Sequence, residues 1–531
     1  MLLIMAQAKA KFKPLSFSTT MRNPDRIAGF MSCIIPFKDK ILTNDVITKI
    51  LKNILKKKLY KPTLVDKVEE LKDTYNDETC SFSDTQLDYI LKNSIQKHKE
   101  AGFEEGWPSR FDTFYKLPME LGFLKYSIGE PIRILKLGYM IVDAFNKEPV
   151  DELMIQNIFL NALTKYPVNN PYRRILNDNV PLVLLLNVLK VLKEIYPDGH
   201  GVHRQELSFL ICWPGHDAVE VAKYIRDFRK KYTFSSYTDE IIYERCLKLM
   251  GASLNDSKYY KMNKVTGEAV DDYIRKMRIT GVISLRGNGR FVDLNSLENE
   301  KINYILENYP THKSLMSIDD YMEYMGRIDE KIIAIARTEN KALDDSIKIK
   351  ALRQYAKLYS KEDIFIEMVN VCRKKPSKDA LLKFIDGPTR FEFLTSIALV
   401  QNFNKVGVYP NYVVDDEGIP IRHASGGKAD IVCTDAIYEG LVEVTLMIGR
   451  QQTNDEILPI ARHLTEELQE RPNVVAIFVA PIVFEDASRC AGYIKYKDNI
   501  DIKTYGINEF IDVLNNYDTL DSLVHSEIKI A

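Results

Sequence analysis

Two stretches of the sequence decide the fold: Gly426-Gly427-Lys428-Ala429-Asp430-Ile431-Val432-Cys433 and Gly440-Leu441-Val442-Glu443-Val444-Thr445-Leu446. Both are rich in apolar and β-branched residues and a short turn joins them, which predicts two neighbouring strands. A third run, from Val474 to Ala480, is continuously apolar, as in a strand that is buried on both faces of a sheet. From residue 386 onward the sequence therefore predicts an α/β domain.

Asp430 and Glu443 interrupt these otherwise apolar strands. A carboxylate in such a strand is costly unless it has a partner, and one divalent cation shared by both side chains would be that partner. Carboxylate oxygens are ligands that Mg2+ prefers. The pair therefore predicts a magnesium site, where the ion lowers the pKa of a water molecule and stabilises charge on a phosphate. The alternative for either acid is a strand end that points to solvent.

Three further polar residues add to this candidate site. Glu392 lies on a helix predicted from Thr389 to Asn402. Glu456 and His463 are seven residues apart, which is two helical turns, and so share one face of a helix predicted from about 454 to 470. An acid and an imidazole that face a metal cluster can position water or transfer protons. A solvated polar face is the alternative.

The region from about 200 to 295 has the pattern of several helices followed by a short hairpin. The helices are predicted at Arg204–Trp213, Ala218–Lys231 and Val270–Thr280, and the hairpin turns at Asn288-Gly289. A winged helix presents one helix to the major groove and its hairpin to the DNA backbone, so the pattern predicts a winged-helix-like unit. A second such unit is predicted around 116–145. Protein contacts are the alternative use of this motif.

Basic side chains in this region are candidates for DNA contacts. On the helix before the hairpin and on the hairpin itself they are Arg275, Lys276, Arg278, Arg286 and Arg290. Near the start of the chain the candidates are Arg22, Asn23 and Arg26, with a structural capping role for Asn23 as the alternative. Arg286 and Arg290 flank the predicted turn, where a phosphate would lie.

Length and composition set the class of protein. A chain of 531 residues is too long for one hydrophobic core, and its formal net charge of -1 argues against coating nucleic acid by bulk charge. The seven cysteines form no C-x-x-C pair, which argues against a zinc ribbon. No run approaches the ~18 to 20 apolar residues of a membrane helix, so the protein is expected to have no membrane association and to be cytoplasmic.

Taken together, the motifs resemble the PD-(D/E)XK nuclease core as modified in the AlwI-like type IIS restriction endonucleases and their natural nicking relatives. The resemblance rests on Gly427-Lys428-Ala429-Asp430, Glu443-Val444-Thr445 thirteen positions beyond Asp430, Glu456, His463, and Glu392 upstream. The segment from Phe17 to Ile27 also resembles the opening segment of AlwI-type enzymes, and the similarity extends over most of the chain.

The resemblance implies a multidomain protein with a mainly α-helical N-terminal recognition region, winged-helix-like subdomains, a helical linker and a C-terminal α/β nuclease domain. The predicted boundaries are 1–150 and 151–300 for two DNA-recognition subdomains, 301–385 for the linker and 386–531 for the nuclease domain. A mostly helical linker would hold the reading and cutting domains at a set separation.

The resemblance also implies roles for the site residues. Asp430 and Glu443 would be Mg2+ ligands, the Val444 carbonyl a third ligand, and Mn2+ a substitute ion. Glu392, Glu456 and His463 would complete the catalytic site. Thr445 stands where the usual motif has lysine. Activation of the attacking water would then fall to His463 or to water on a metal ion.

The function implied is a type IIS restriction endonuclease that binds a short asymmetric double-stranded DNA sequence. It would cut a few base pairs downstream and leave 5′-phosphate and 3′-hydroxyl ends. One active site cuts one strand, so double-strand cleavage needs a transient homodimer or a small catalytic subunit; without either, the enzyme would be a strand-specific nickase. A companion DNA methyltransferase is expected. A noncatalytic DNA-binding regulator and a structure-specific repair nuclease are the alternatives.

Overall fold

The computed structural model describes residues 12–17, 21, 23–77, 80–173, 175–314, 316–337, 340–403, 406–424 and 426–524. Contacts divide the chain into two compact units. The first unit comprises residues 1–72 and 82–337, and the second comprises residues 73–81 and 338–531. Among the described residues, no helix is both long enough and apolar enough to cross a membrane.

Helices dominate the chain up to residue 337. They are α1 (Ile27–Ile34), α2 (Asn44–Lys56), α3 (Glu69–Asn76), α4 (Asp84–Asn93), α5 (Trp107–Glu120), α6 (Lys136–Phe145), α7 (Glu152–Lys165), α8 (Pro181–Ile195), α9 (Leu207–Ile211), α10 (Ala218–Lys231), α11 (Asp239–Leu249), α12 (Ala269–Arg278), α13 (Asn299–Asn308), α14 (Ile318–Gly326) and α15 (Glu330–Ala334). The strands are β1 (Leu124–Lys125), β2 (Arg133–Ile134), β3 (Val202–His203), β4 (Ile283–Arg286) and β5 (Phe291–Leu294).

The predicted helix at residues 218–231 is confirmed as α10, and its sequence explains both its start and its packing. The Asp217 carboxylate caps the helix by accepting from the backbone N–H groups of Val219 at 2.8 Å and Glu220 at 3.2 Å. Val221 and Ile225 are buried at helical spacing and pack the inner face of the helix.

The predicted hairpin is also confirmed, and a third strand joins it. β4 pairs antiparallel with β5, and β5 pairs antiparallel with β3, which gives the strand order β3-β5-β4. Gly287, Asn288 and Gly289 at the turn all have positive φ angles of 58 to 79°. Glycine and asparagine tolerate this conformation, so the turn follows from the local sequence.

One face of α7 is polar although the helix is buried. Asn157, Asn161 and Lys165 are spaced four residues apart and so lie on the same face. The two asparagine amides donate to backbone carbonyls between residues 327 and 335 at 3.0 to 3.3 Å. The Lys165 Nζ donates to carbonyls between residues 324 and 327. These bonds satisfy carbonyls at the ends of α14 and α15, which a purely apolar helix would leave without partners.

The remaining elements lie after residue 338. The helices are α16 (Lys341–Leu358), α17 (Lys361–Cys372), α18 (Gly387–Asn402), α19 (Leu458–Glu470), α20 (Glu485–Asp498), α21 (Ile507–Asn516) and α22 (Leu520–Val524), and a π-helical turn, Gln452–Ile457, precedes α19. The strands are β6 (Gly407–Pro410), β7 (Val413–Val414), β8 (Pro420–Arg422), β9 (Ile431–Thr434), β10 (Glu439–Val444), β11 (Val474–Ala480) and β12 (Ile502–Gly506).

A mixed five-stranded sheet forms the centre of the second unit. Its strand order is β12-β11-β10-β9-β6, with β10, β11 and β12 parallel and β9 antiparallel to both of its neighbours. Every residue of β11 is buried, which confirms the strand predicted from the apolar run at 474–480. Phe478 and Leu441 share one apolar cluster with residues of α19 and α20, and α18 and α21 also pack on the sheet. The chain is thus mostly helical, with one mixed sheet.

The segment predicted as a linker, residues 301–385, is divided between the two units. Residues up to 337 belong to the first unit and residues from 338 onward belong to the second. The reason for the second assignment is that α16 and α17 pack on α18, so they are part of the core around the sheet. Residues 1–72 and 82–300 lie in one compact unit, whereas residues 73–81 belong to the other. The four domains with their assigned functions stay a prediction.

Candidate active site

Asp430 and Glu443 meet at one end of β9 and β10. Ile431 is paired with Val442 in the antiparallel register, so the next step of the register brings Asp430 opposite Glu443. Val444 N donates to Asp430 Oδ2 at 2.8 Å, and Asp430 N lies 3.4 Å from Glu443 Oε2. The backbone of each strand thus orients the carboxylate carried by the other.

Burial, together with the closeness of the carboxylates, raises the pKa values of the acids at this site. Loss of water on burial raises the pKa of Asp430, and the nearby Glu456 carboxylate raises it further, while the hydrogen bond from Val444 N acts in the opposite direction. Burial likewise raises the pKa of Glu443 well above its usual range, and the charge of Asp430 adds to the effect. Ionising both of these neighbouring, buried carboxylates costs free energy, and a bound cation would lower that cost.

Glu456 is the third acid at this site. It lies on the π-helical turn that follows β10, and burial raises its pKa while a hydrogen bond from the Thr445 hydroxyl lowers it. Thr445 Oγ1 also accepts from Met447 N at 3.1 Å. The threonine that replaces the motif lysine therefore connects the end of β10 to Glu456.

A buried glutamine that the sequence analysis missed holds the π-helical turn in place. The side chain of Gln452 is fully buried. Its Nε2 donates to Met447 O at 2.8 Å and to Ile482 O at 2.9 Å, and its Oε1 accepts from Phe484 N at 2.7 Å. Gln452 thus joins the loops that follow β10 and β11. Its only sequence signal is a polar residue next to an apolar helix.

The other predicted site residues lie around this centre. Glu392 is buried on α18, and its Oε2 accepts from Ala424 N at 3.1 Å, which fixes the segment leading to Asp430. His423, which is not one of the predicted site residues, also lies here: its Nδ1 is 2.8 Å from Ala424 O, and its charge lowers the pKa of Asp430. His463 is half-buried on α19. The structure brings Glu456, rather than His463, to Thr445.

The donor atoms at this site fit a hard divalent cation. Asp430, Glu443 and Glu456 all offer carboxylate oxygens, and their charges act on one another. Oxygen-only donor sets suit Mg2+ and Mn2+ better than softer metals. Repulsion among the carboxylates would be relieved by such an ion, which is a physical reason to bind one here.

The predicted DNA-contact residues on α12 are mostly not accessible. Lys276 is buried, and its Nζ lies 2.6 Å from Asp272 Oδ1 on the same helix. Arg278 is buried as well, and Arg275 is half-buried. A side chain that is enclosed by protein must be uncovered before it can reach a phosphate, so the DNA role of Lys276 and Arg278 stays a prediction that their burial does not favour. Three lysines on the neighbouring helix α10 are exposed: Lys223, Lys230 and Lys231.

The hairpin candidates divide into one paired and one exposed arginine. Arg286 Nε donates to Asp293 Oδ2 at 2.8 Å across the hairpin. Arg290 is exposed beside the turn, and its Nε donates to Gly287 O at 3.0 Å. Of the two, Arg290 is the one whose side chain faces water.

The N-terminal candidates are described only in part. Arg22 lies outside the described residues. Asn23 is exposed and its side chain makes no capping bond to the short helix that follows. Arg26 is exposed as well, with its guanidinium on the Leu59 carbonyl and 5.6 Å from the centre of the Phe30 ring.

A carboxylate pair at the ends of adjacent strands, in a mixed sheet flanked by helices, is the arrangement of the PD-(D/E)XK nucleases. A family model described as AlwI restriction endonuclease matches residues 119–363 and 327–490, and the chain belongs to this family. It is therefore a site-specific deoxyribonuclease, and membership implies dependence on a divalent metal in general. Among curated proteins, no sequence matches the chain.

Solved structures similar to this chain are also restriction endonucleases. The small subunit of the heterodimeric restriction endonuclease R.BspD6I is 23% identical over 29% of this chain and 76% of its own, with a TM-score of 0.25. FokI is 12% identical over 97% of this chain and 98% of its own, with a TM-score of 0.25. FokI bound to DNA is 13% identical over 97% of both chains, with a TM-score of 0.23.

Proposed function

We propose that this chain is a type IIS restriction endonuclease. It binds a short asymmetric double-stranded DNA sequence and hydrolyses phosphodiester bonds a few base pairs downstream, leaving 5′-phosphate and 3′-hydroxyl ends. The observation that carries the proposal is the bond from Val444 N to Asp430 Oδ2 at 2.8 Å, because it joins two strand ends that each carry an acid. The first unit would read DNA and the second would cut it.

The residues of the site would have two different roles, metal binding and proton transfer. Asp430 and Glu443, with the Val444 carbonyl, would hold Mg2+, and Mn2+ would substitute. When bound, the ion would neutralise the two carboxylates, lower the pKa of a water molecule and stabilise negative charge on the phosphate. Glu456 would accept the proton of the attacking water at a carboxylate oxygen, because the Thr445 hydroxyl orients it beside the pair.

The remaining predicted residues would act around this centre. Glu392 would fix the segment before Asp430 through its bond to Ala424 N. His463, half-buried on α19, would position water or transfer protons at the site.

DNA binding would use exposed basic groups of the first unit. Arg290 at the hairpin turn would contact a phosphate, in the manner of the hairpin of a winged helix. Asn23 and Arg26, both exposed, would be further DNA contacts, and Arg22 stays a candidate from the sequence. The strand order β3-β5-β4 supports the winged-helix-like interpretation, because it puts the hairpin beside the strand that precedes α9.

One chain contains one set of these carboxylates among the residues that the structure describes, so one chain would cut one strand. Cleavage of both strands would require a transient homodimer or a small catalytic subunit. A chain acting alone would be a strand-specific nickase. In a cell, a companion DNA methyltransferase would protect the recognition sequence.

The experiment that tests the proposal is incubation of supercoiled plasmid with purified protein, with and without Mg2+, followed by sequencing of the DNA ends. The Asp430→Ala variant should lose cleavage and keep DNA binding. Glu466→Ala, which removes an exposed acid from α19 in the same unit, is the matched control and should cut normally. Ends at a fixed offset from one short sequence are expected.

Other outcomes would support the alternatives. Cutting that does not recur at a fixed offset would indicate a structure-specific repair nuclease. Sequence-specific binding without cleavage under any metal condition would indicate a noncatalytic regulator. If Asp430→Ala retained full cleavage, the assignment of the active site would be wrong.

A further inference from the structure

Three side chains in the first unit form a cluster that the nuclease function does not use. Asp178, His216 and His312 each offer one ligand atom, and these atoms all lie within 4.8 Å of one another. They come from three separate loops: the loop before α8, the loop between α9 and α10, and the loop after α13. We propose that this cluster is a binding site for one zinc-class transition-metal ion.

The distances within the cluster suit a small tetrahedral ion. His216 Nδ1 lies 3.4 Å from Asp178 Oδ2, and His312 Nδ1 lies 2.5 Å from Asp178 Oδ1. With metal–ligand bonds of about 2.0 to 2.2 Å, tetrahedral geometry separates neighbouring ligand atoms by about 3.4 Å. One contact already has this separation. The His312 contact is to the other carboxylate oxygen, Asp178 Oδ1, and it must lengthen as the ion replaces the hydrogen-bonded proton.

The imidazoles are close enough to converge on the same ion. The centres of the His216 and His312 rings are 4.8 Å apart and their planes are inclined by 37°. Both rings bring their Nδ1 atom to the same carboxylate. All three side chains are partly accessible to solvent, so water can complete the coordination.

The loops that carry the three ligands are fixed by buried hydrogen bonds. Asp178 N donates to Pro214 O at 2.8 Å, and Val180 N donates to Thr311 O at 2.7 Å. The buried Asn179 amide donates to Gly215 O at 3.1 Å. The site is therefore preorganised by its backbone, which lowers the conformational cost of binding an ion.

The donor set selects a different metal from the nuclease site. Two imidazoles and one carboxylate suit Zn2+, Co2+ or Ni2+, whereas Mg2+ prefers oxygen ligands. The ion would tie the loop after α13 to the loops that begin α8 and α10, and so would stabilise the first unit. This role is separate from hydrolysis and does not depend on the proposed function.

The test is equilibrium dialysis of chelator-treated protein against Zn2+, with the bound metal measured by mass spectrometry. An Asp430→Ala/Glu443→Ala background removes the nuclease ligands. In this background we expect about one Zn2+ per chain and a melting midpoint raised by about 3 °C or more. Adding His216→Asn and His312→Asn should weaken binding at least about 100-fold and abolish the thermal shift. His200→Asn, an exposed histidine outside the cluster, should change neither.

A second measurement needs no variant. Zn2+ should protect His216 and His312, but not His200, from modification by diethyl pyrocarbonate, as read by peptide mass spectrometry. Equal modification with and without Zn2+, or the same Zn2+ uptake in the double histidine variant, would mean that the cluster is only a hydrogen-bonded pair with a neighbouring histidine, and the proposal would fail.

Discussion

At the scale of single residues, Thr445 replaces a charged motif residue with a neutral one. A lysine at this position would bring a positive charge to the carboxylates, whereas threonine offers one hydroxyl. That hydroxyl donates to Glu456 and accepts from Met447 N at 3.1 Å. Its contribution is therefore orientation of the neighbouring acid rather than charge.

We expect Thr445→Val to lower the cleavage rate about 10- to 100-fold, because valine keeps the shape and loses the bond that orients Glu456. Thr445→Ser should restore most of the rate, since it keeps the hydroxyl. Single-turnover cleavage of a plasmid measures the effect, and circular dichroism checks the fold. Full activity in Thr445→Val would show that the hydroxyl has no role.

Lys165 leads to a prediction about pH. Burial lowers its pKa from 10.5 to about 7, with the charge of Arg327 acting in the same direction and that of Asp329 opposing it. Between these two values the unfolded chain binds more protons at this position than the folded chain does. The free energy of unfolding should therefore rise with pH across this window, by at most about 1.4 kcal/mol per pH unit.

Urea unfolding at pH 7, 8 and 9 measures this slope. Lys165→Met should flatten it, because methionine carries no proton. Lys190→Met, which removes an exposed lysine from α8, should leave the slope unchanged. Identical slopes in the native protein and Lys165→Met would contradict the assignment of the pH dependence to Lys165.

At the scale of elements, the π-helical turn before α19 depends on one glutamine. Gln452→Leu would remove the side-chain partners of two carbonyls and one N–H. We expect a loss of about 1 to 3 kcal/mol in the free energy of unfolding and a weaker response of cleavage to Mg2+, because the turn carries Glu456. Urea unfolding and a Mg2+ titration of the rate measure both effects. Gln451→Leu, at an exposed neighbouring position, is the control and should be neutral.

The hairpin formed by β4 and β5 leads to a prediction about DNA binding. Arg290→Ala should weaken binding to different DNA sequences to a similar degree and reduce the salt dependence of binding by about one counterion, as expected for one lost phosphate contact. Lys57→Ala, which removes a basic residue from the end of α2, should have little effect. Fluorescence anisotropy over a salt series measures both variants. Equal salt slopes for the two variants would count against the hairpin as a DNA-contacting element.

Elements with a strong local signal were predicted within a few residues. α10 and β11 agree with their predicted bounds because capping, helical periodicity and a continuous apolar run are local properties. The helix predicted at 454–470 instead begins as a π-helical turn at Gln452 and becomes α-helical at Leu458. A π turn has no periodicity that an apolar pattern can reveal.

The sequence analysis predicted the acidic residues of the candidate site but not the buried residues that hold them in place. Asp430 and Glu443 are conspicuous because they interrupt apolar strands, and the structure brings them together. The role of Gln452 depends on two loops that are distant in sequence, and the burial of Lys276 depends on packing around α12. Neither is a local property, so the sequence alone gave no reason to expect them.

At the scale of the whole molecule, the number of active sites sets the order of products. A chain with one set of carboxylates should first convert supercoiled plasmid to open circles. If a transient homodimer cuts the second strand, linear DNA should form in proportion to a higher power of protein concentration. Gel analysis over a hundredfold range of protein concentration measures the ratio. A ratio of linear to open-circle DNA that does not depend on concentration would argue against homodimer assembly.

The second unit is assembled from two parts of the chain, residues 73–81 and residues 338–531. A transfer of the second unit to another DNA-binding protein would naturally join the two genes near residue 337. Such a chimera would lack the earlier peptide. A faithful graft would have to supply that peptide as well, by circular permutation or as a separate fragment, so this enzyme is less modular than its linear sequence suggests.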